Sequence, residues 1–369
     1  MSKLETANLQ NVSSGAPSFS QGMTVGGTDI TTLVSMTEYY EQAGEPSSPA
    51  NGAVWWTGSV MYQYVGGAWR IVSVSVAPPP FVGDRGLFAG GNNSNVIDYV
   101  TIPTPGNATD FGDLASARYG LGACSNGSRG VFGGGYISSA VSNVIDYVTI
   151  STAGNTTDFG DLTVARQYVQ SSCSDGTYGL FGGGMLANFS GTTTIDYVTI
   201  STTANAVDFG DLTASRYNLS ACSDGTYGVF GGGQSSVGIT IDYVTIATTG
   251  NATDFGDLSE AKSSLASCSS SSRGLFGGGV NAAGSAVFNA IEYITIATPG
   301  NATDFGDLTV ATQILAACSS GSRGIFGGGN TSSSTTNAIA YVTIDTPGNA
   351  TDFGDLTSAR NLLASCSGN

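Results

Sequence analysis

The sequence predicts an all-β protein: a six-bladed β-propeller with four strands per blade, preceded by a small, mostly β N-terminal unit. Three observations carry this. A unit recurs six times: Phe-Gly-Gly-Gly (Phe-Ala-Gly-Gly in the first copy), Ile-Asp-Tyr-Val-Thr-Ile or a close variant, Asp-Phe-Gly-Asp-Leu, then Cys-Ser. The Asp-Phe-Gly-Asp-Leu elements begin at Asp110, Asp158, Asp208, Asp254, Asp304 and Asp352, in steps of 48, 50, 46, 50 and 48 residues. A period near 50 with a glycine run in each unit is the length of one four-stranded blade. Finally, each unit holds short apolar, β-branched runs separated by turn residues, which is strand patterning.

Residues 1–80 do not share the repeat. Residues 1–30 are polar, and 31–42 are expected to form a short helix. A turn-rich link at 45–52 leads to three expected strands, 53–58, 60–64 and 68–72, set around Gly66-Gly67. This unit contains all three tryptophans, Trp55, Trp56 and Trp69, beside Tyr62 and Tyr64. These aromatics form a small core, a docking surface, or both.

The propeller is expected over 81–369. In the last full unit, 314–319 is an apolar strand and Ser320-Gly321-Ser322 a tight turn. Residues 323–327 form the second strand, 339–344 the third and 351–356 the outer one. The ends of the array do not match. Pro78-Pro79-Pro80 stands where the first unit should have its Cys-Ser strand, and 362–367 is an orphan Cys-Ser strand at the other end. The count balances if that last strand completes the first blade. Closing so long a loop costs roughly 5 kcal/mol of chain entropy. Burial of Leu362, Leu363 and Cys366 returns about 1.5–3 kcal/mol per large side chain.

Cys124, Cys173, Cys222, Cys268, Cys318 and Cys366 fall at one repeat position. Equivalent positions on packed sheets lie about 10 Å apart, beyond disulfide reach. All six are expected to be reduced, buried, small apolar residues. Arg118, Arg166, Arg216, Lys262 and Arg360 recur after the outer strand, with Thr312 the exception, and are expected to pair with the repeated aspartates within or between blades, as exposed salt bridges or as a buried network.

Net charge is −16, with 11 scattered basic residues and 10% charged residues. Such a chain lacks the basic patch that neutralises phosphates, so neither nucleic acid nor an anionic membrane is an expected partner. No stretch approaches a membrane span, and no signal-peptide core is present, so synthesis in a cytoplasm without export is expected. The absence of histidine removes Ser-His and Cys-His catalysis and every histidine-bearing metal site. Most carboxylates are repeat copies, which points to scaffold rather than to a glycosidase pair. No enzyme activity, cofactor or metal is expected; calcium at the Asn-Ala-Thr-Asp-Phe-Gly-Asp loops is the minor alternative.

Function is expected where the copies differ. Third-strand Ile to outer-strand Asp is 13 residues in all six units, and Asp to Cys is 14 in five units and 15 in one. Length variation concentrates between the glycine run and the third strand, at 92–96, 136–144, 185–194, 234–240, 280–290 and 330–338. These loops all emerge on one face, where a rigid scaffold usually carries recognition. Their candidate recognition residues are Tyr136, Ile137, Met185, Leu186, Phe189, Val280, Phe288 and Asn330.

Two resemblances follow. The glycine run, the third-strand tyrosines (Tyr99, Tyr147, Tyr197, Tyr243, Tyr293, Tyr341) and an aromatic in the outer strand resemble a divergent kelch-type repeat. Phe111, Phe159, Phe209, Phe255, Phe305 and Phe353 stand where that family has tryptophan. Residues 1–10, the run from Ser48 to Val54 and the run from Tyr64 to Trp69 resemble N-terminal parts of bacteriophage tail-fibre and other virion proteins. This implies a virion protein, a tail fibre or appendage. Residues 1–80 would dock on other virion proteins through Trp55, Trp56, Tyr62, Tyr64 and Trp69. The propeller would meet a host-surface glycan or protein, and a homo-oligomer is expected. A decorating protein without receptor role and a bacterial kelch-like adaptor are the alternatives.

Overall fold

The structure is a computed structural model. It describes residues 84–368 apart from 93 and 235–237, together with Thr24–Val25, Thr28–Asp29, Tyr39–Glu41, Val54–Trp56, Met61–Val65, Gly67 and Ala68–Ile71. The chain divides into two compact units, Met1–Pro79 and Pro80–Asn369.

In the first unit Thr24–Val25 pairs with Thr28–Asp29. A second sheet runs in the order Tyr39–Glu41, Val54–Trp56, Met61–Val65, Ala68–Ile71. The last three are the strands expected from the sequence. Trp55 sits opposite Tyr62 and Tyr64 opposite Trp69 in the register. One expectation is corrected: Tyr39–Glu41, inside the presumed helix 31–42, is a strand lying parallel to Val54–Trp56. Two adjacent tyrosines favour a pleated, half-buried surface, and pairing with a neighbouring strand overrides local helix propensity. The rest of 31–42 lies outside the described residues.

The second unit is a six-bladed β-propeller, each blade a four-stranded antiparallel sheet. Blade 1 is Ala364–Gly368, Arg85–Ala89, Val96–Thr101 and Thr109–Asp113, from axis to rim. Blade 2 is Gly122–Ser125, Arg129–Gly133, Val144–Thr149 and Thr157–Asp161. Blades 3 to 6 repeat this order and begin at Ser172–Ser174, Ser220–Ser223, Ala266–Ser269 and Ala316–Ser320. The C-terminal strand closes the ring, with Ser365 opposite Phe88 and Cys366 opposite Leu87. Leu363 is buried, but Leu362 is only half-buried and lies before the strand. Ile314 likewise precedes its strand. Both adopt left-handed backbone, with φ of 56° and 49°.

Six apolar clusters lie between neighbouring blades; one joins Leu87, Ile97 and Phe111 of blade 1 to Phe132, Val148 and Ile150 of blade 2. A bulge recurs where Asp98, or its equivalent, meets the outer strand, and it turns Phe111 and its copies inward. Each phenylalanine meets the third-strand tyrosine edge-on, at 5.6–6.2 Å between centroids. The pair fills the volume between third and outer strand with a favourable edge-to-face contact.

The cysteines are free and buried, as expected. Each thiol nests on a second-strand glycine of the next blade: a Cβ built at Gly130 would stand 2.9 Å from the Cys366 sulfur, and one at Gly228 2.8 Å from that of Cys173. The packing admits no side chain there. Burial raises every thiol pKa, that of Cys366 to about 12, so these groups stay protonated and inert.

Candidate functional site at the loop face

The recurring cations form the floor of this face. Arg118, Arg166, Arg216, Lys262 and Arg360 are buried, not exposed, and pair at 2.5–2.9 Å with Asp146, Asp196, Asp242, Glu292 and Asp98. Their partners are the third-strand acids of the next blade, the repeated set Asp98, Asp146, Asp196 and Asp242 with Glu292, so the expected pairing with repeated aspartates runs between blades and not to the Asp-Phe-Gly-Asp carboxylates. The loop mouths complete the site: Arg118 donates to the carbonyls of Phe132, Gly134 and Val144, and Arg360 to those of Gly90 and Val96. Burial lowers the Arg118 pKa and raises that of Asp146, and each partner pulls the other back. Where the cation is missing, at Thr312, the third strand has Ala340 in place of an acid, and where Lys262 replaces Arg, the longer Glu292 replaces Asp. Half a buried pair costs more than none, so the members change together.

Two closed hydrogen-bond cycles ring the axis. At the end away from the loops, the serine of each Cys-Ser donates to the main-chain carbonyl of the equivalent serine in the blade before. Ser125, Ser367, Ser319, Ser269, Ser223 and Ser174 form the cycle at 2.6–2.8 Å. At the loop end the cycle is main chain alone. Gly120 N–H donates to Leu362 O, Leu362 to Ile314, Ile314 to Ser264, Ser264 to Asn218, Asn218 to Tyr168, and Val169 back to Gly120. All six ring residues have left-handed φ, from 49° to 65°. At every position but Tyr168, where Val169 donates instead, the left-handed residue aims its own amide at its neighbour, and five of the six adopt that backbone without glycine.

The cavity between the rings measures about 30 Å³ and is lined mainly by alanine, serine and leucine of the inner strands. It has room for roughly two waters. Gln170 is the one long polar side chain lining it. It lies in the second Asp-to-Cys interval, Asp158 to Cys173, the one that is a residue longer than the others and leads into blade 3.

The loop face is uneven. At five of the six cation positions, Thr312 included, the following residue pairs with the first residue of the next blade's loop: Tyr119 with Tyr136, Gln167 with Met185, Tyr217 with Gln234, Ser263 with Val280 and Gln313 with Asn330. On blades 2 to 4 these positions gather tyrosines. Tyr119 and Tyr136 lie 5.4 Å apart between centroids, and Tyr168 stacks on Tyr217 at 6.1 Å. The two pairs meet at Gly120, the one glycine of the ring. A Cβ there would come within 3.1 Å of the Tyr168 ring, so glycine admits the tyrosine. All four rings are half-exposed. Burial raises the Tyr119 and Tyr168 pKa values, and neighbouring phenols add to the effect.

The residues named from the sequence divide. Phe189, at the tip of its hairpin, is 78% exposed. Tyr136 joins the tyrosine group, and Ile137 and Leu186 are half-buried. Met185 and Val280 are buried by their pairing with the linkers, so they anchor loops and offer no surface. Phe288 is half-buried over the Lys262 ammonium, and the Asn330 carbonyl oxygen accepts from Thr335 and Asn361. Tyr119, Gln167, Tyr168, Tyr217 and Asn218 were not singled out by loop length. Their signal is a variable dipeptide inside an otherwise constant interval: Tyr-Gly, Gln-Tyr, Tyr-Asn, Ser-Ser, Gln-Ile and Asn-Leu follow the cation site in turn.

Asn107, Asn155, Asn205, Asn251, Asn301 and Asn349 of the Asn-Ala-Thr-Asp loops accept main-chain N–H groups of the preceding blade's outer strand. Their carboxamides are thus engaged in docking blade to blade. Among the described residues no cluster of three metal-ligating side chains forms. No protein-family model matches the chain, and no curated protein sequence matches it.

Proposed function

We propose that this is a bacteriophage virion structural protein, a tail fibre or appendage, whose propeller engages the host surface through its loop face. The observation that carries the recognition part is the contrast between faces. Rim and opposite face repeat six times over, whereas the loop face gathers the variable loops and an uninterrupted group of half-exposed tyrosines. Tyrosine with serine, glycine and asparagine supplies rigid, adaptable contact area at low entropic cost. The resemblance of residues 1–80 to N-terminal parts of virion proteins supports attachment there, through a sheet holding Trp55, Trp56, Tyr62, Tyr64 and Trp69. No catalytic step, cofactor or nucleic acid enters this reading, and the particle would carry a homo-oligomer. Immunogold labelling of purified particles should mark a tail appendage, and the purified full chain should compete with particles for adsorption. Absence from particles overturns the virion reading; presence without competition leaves a decorating protein.

A further inference from the structure

The tyrosine group has features that the recognition reading does not use. None of the four phenolic hydroxyls has a protein hydrogen-bond partner among the described residues, although the rings are ordered against one another. On either side of Tyr168 in the chain and in the ring stand Gln167 and Asn218. Gln167 is 4% exposed, and both residues keep a buried amide oxygen with no partner. A buried acceptor without a donor costs about 1–3 kcal/mol. Two such acceptors within one arc are a deficit that a donor-rich ligand can relieve. The terminal amide torsion is soft, so each oxygen can turn to a ligand hydroxyl at little cost.

The surroundings narrow the ligand class. Every Arg and Lys in 84–368 is committed elsewhere, either to one of the five buried pairs or, as Arg85, Arg129, Arg273 and Arg323, to stacking on a tyrosine at the opposite face. The loop face therefore has no free cation for a carboxylate, sulfate or phosphate. An apolar protein epitope also fits poorly. Among the described residues the large exposed apolar ones are Val164, Phe189, Val207 and Val310, dispersed over the blades, and they form no hydrophobic interface centre. Flat aromatic faces bordered by hydroxyls and amides suit a ring with C–H groups on one side and hydroxyls at its edge.

We infer that the strip Tyr136, Tyr119, Tyr168 and Tyr217, across blades 2 to 4 at the mouth of the axial channel, binds a neutral saccharide. A pyranose ring lies against the tyrosine faces, and its hydroxyls bond the phenols and the amide oxygens of Gln167 and Asn218. The inference rests on the recognition reading and names its site and ligand.

The test is an array of immobilised neutral, sialylated and sulfated oligosaccharides probed with the full chain, run beside a binding assay on whole host cells. Binding to neutral glycans is expected. Tyr168→Ala should weaken it about tenfold or more, as removal of a central aromatic anchor does. Tyr217→Phe, which keeps the stack and removes one hydroxyl, should weaken it severalfold without moving the melting temperature, so it stands if the alanine variant misfolds. Phe189→Ala, outside the strip, should leave glycan binding intact. Preference for charged glycans, or neutral binding indifferent to both tyrosine variants, overturns the inference and spares the recognition reading. The same holds if cells are bound and no glycan is. If the chain binds neither cells nor glycans, both fall.

Discussion

The two hydrogen-bond rings that encircle the axis solve one problem in two ways. The serine ring uses side chains, so one residue type stands at all six positions from Ser125 to Ser367. The loop-face ring uses main-chain N–H and C=O groups, so its side chains are Gly, Tyr, Asn, Ser, Ile and Leu. Closure by side chains fixes the sequence. Closure by backbone leaves the side chains free, at the cost of holding non-glycine residues at positive φ, about 1–3 kcal/mol each. The face closed by backbone is also where the tyrosines gather.

The most severe test of that comparison is to open both rings at once. Deleting 361–369 removes Leu362 and Ser367 together with the inner strand of blade 1. The loss should be roughly 5 kcal/mol or more, a fall of about 10 °C or more in melting temperature. An unchanged melting temperature would mean that the ring does not need its C-terminal strand.

The ion pairs beneath the loop face come next. Asp146→Ala strands a buried guanidinium and should cost about 3–5 kcal/mol in denaturant titration. Asp146→Ala with Arg118→Thr reproduces the pairing of Thr312 with Ala340 and should cost less than the single change. A double variant as unstable as the sum of its parts would sink the idea that the pairs must change together.

Gly120→Ala sharpens the contrast within the upper ring. Its Cβ would press on Tyr168 and on the Tyr168 main-chain nitrogen, at 3.0–3.1 Å. A loss of about 1–2 kcal/mol with altered tyrosine fluorescence is expected. Ser125→Ala should cost about 0.5–1.5 kcal/mol, one hydrogen bond of the lower ring. Ser264→Gly in the upper ring should be neutral within about 1 kcal/mol, because glycine occupies that backbone readily. Equal costs at the two positions would erase the distinction. Smallest in energy is the behaviour of the thiols. In the native state none should react with a thiol reagent at pH 8, and all should become reactive together as the fold opens, because burial holds every pKa high.

Much of this architecture was legible in the chain. The glycine runs, the Tyr and Phe positions, the single cysteine per unit and the orphan 362–367 strand led to six blades and their closure, because a repeat announces every contact six times. The partners of Arg118 and its copies were less legible, since two sets of aspartates recur near them and only the blade stagger selects the third-strand set. Loop length drew attention to Met185 and Val280, which the structure buries.

The sequence by itself determined the blade count, the strand order within a blade and the chemistry that a histidine-free chain cannot perform. Local patterning and periodicity are written along the chain, and they suffice for that. Only the tertiary structure decided that Tyr119, Tyr136, Tyr168 and Tyr217 form one strip, that two amide oxygens beside it lack donors, and that the cavity between the inner strands measures about 30 Å³. Those facts depend on how neighbouring blades are staggered around a closed ring. Tyr119 and Tyr217, 98 positions apart at one repeat position, come together there with Tyr136 and Tyr168 from two other repeat positions, and no period marks that combination.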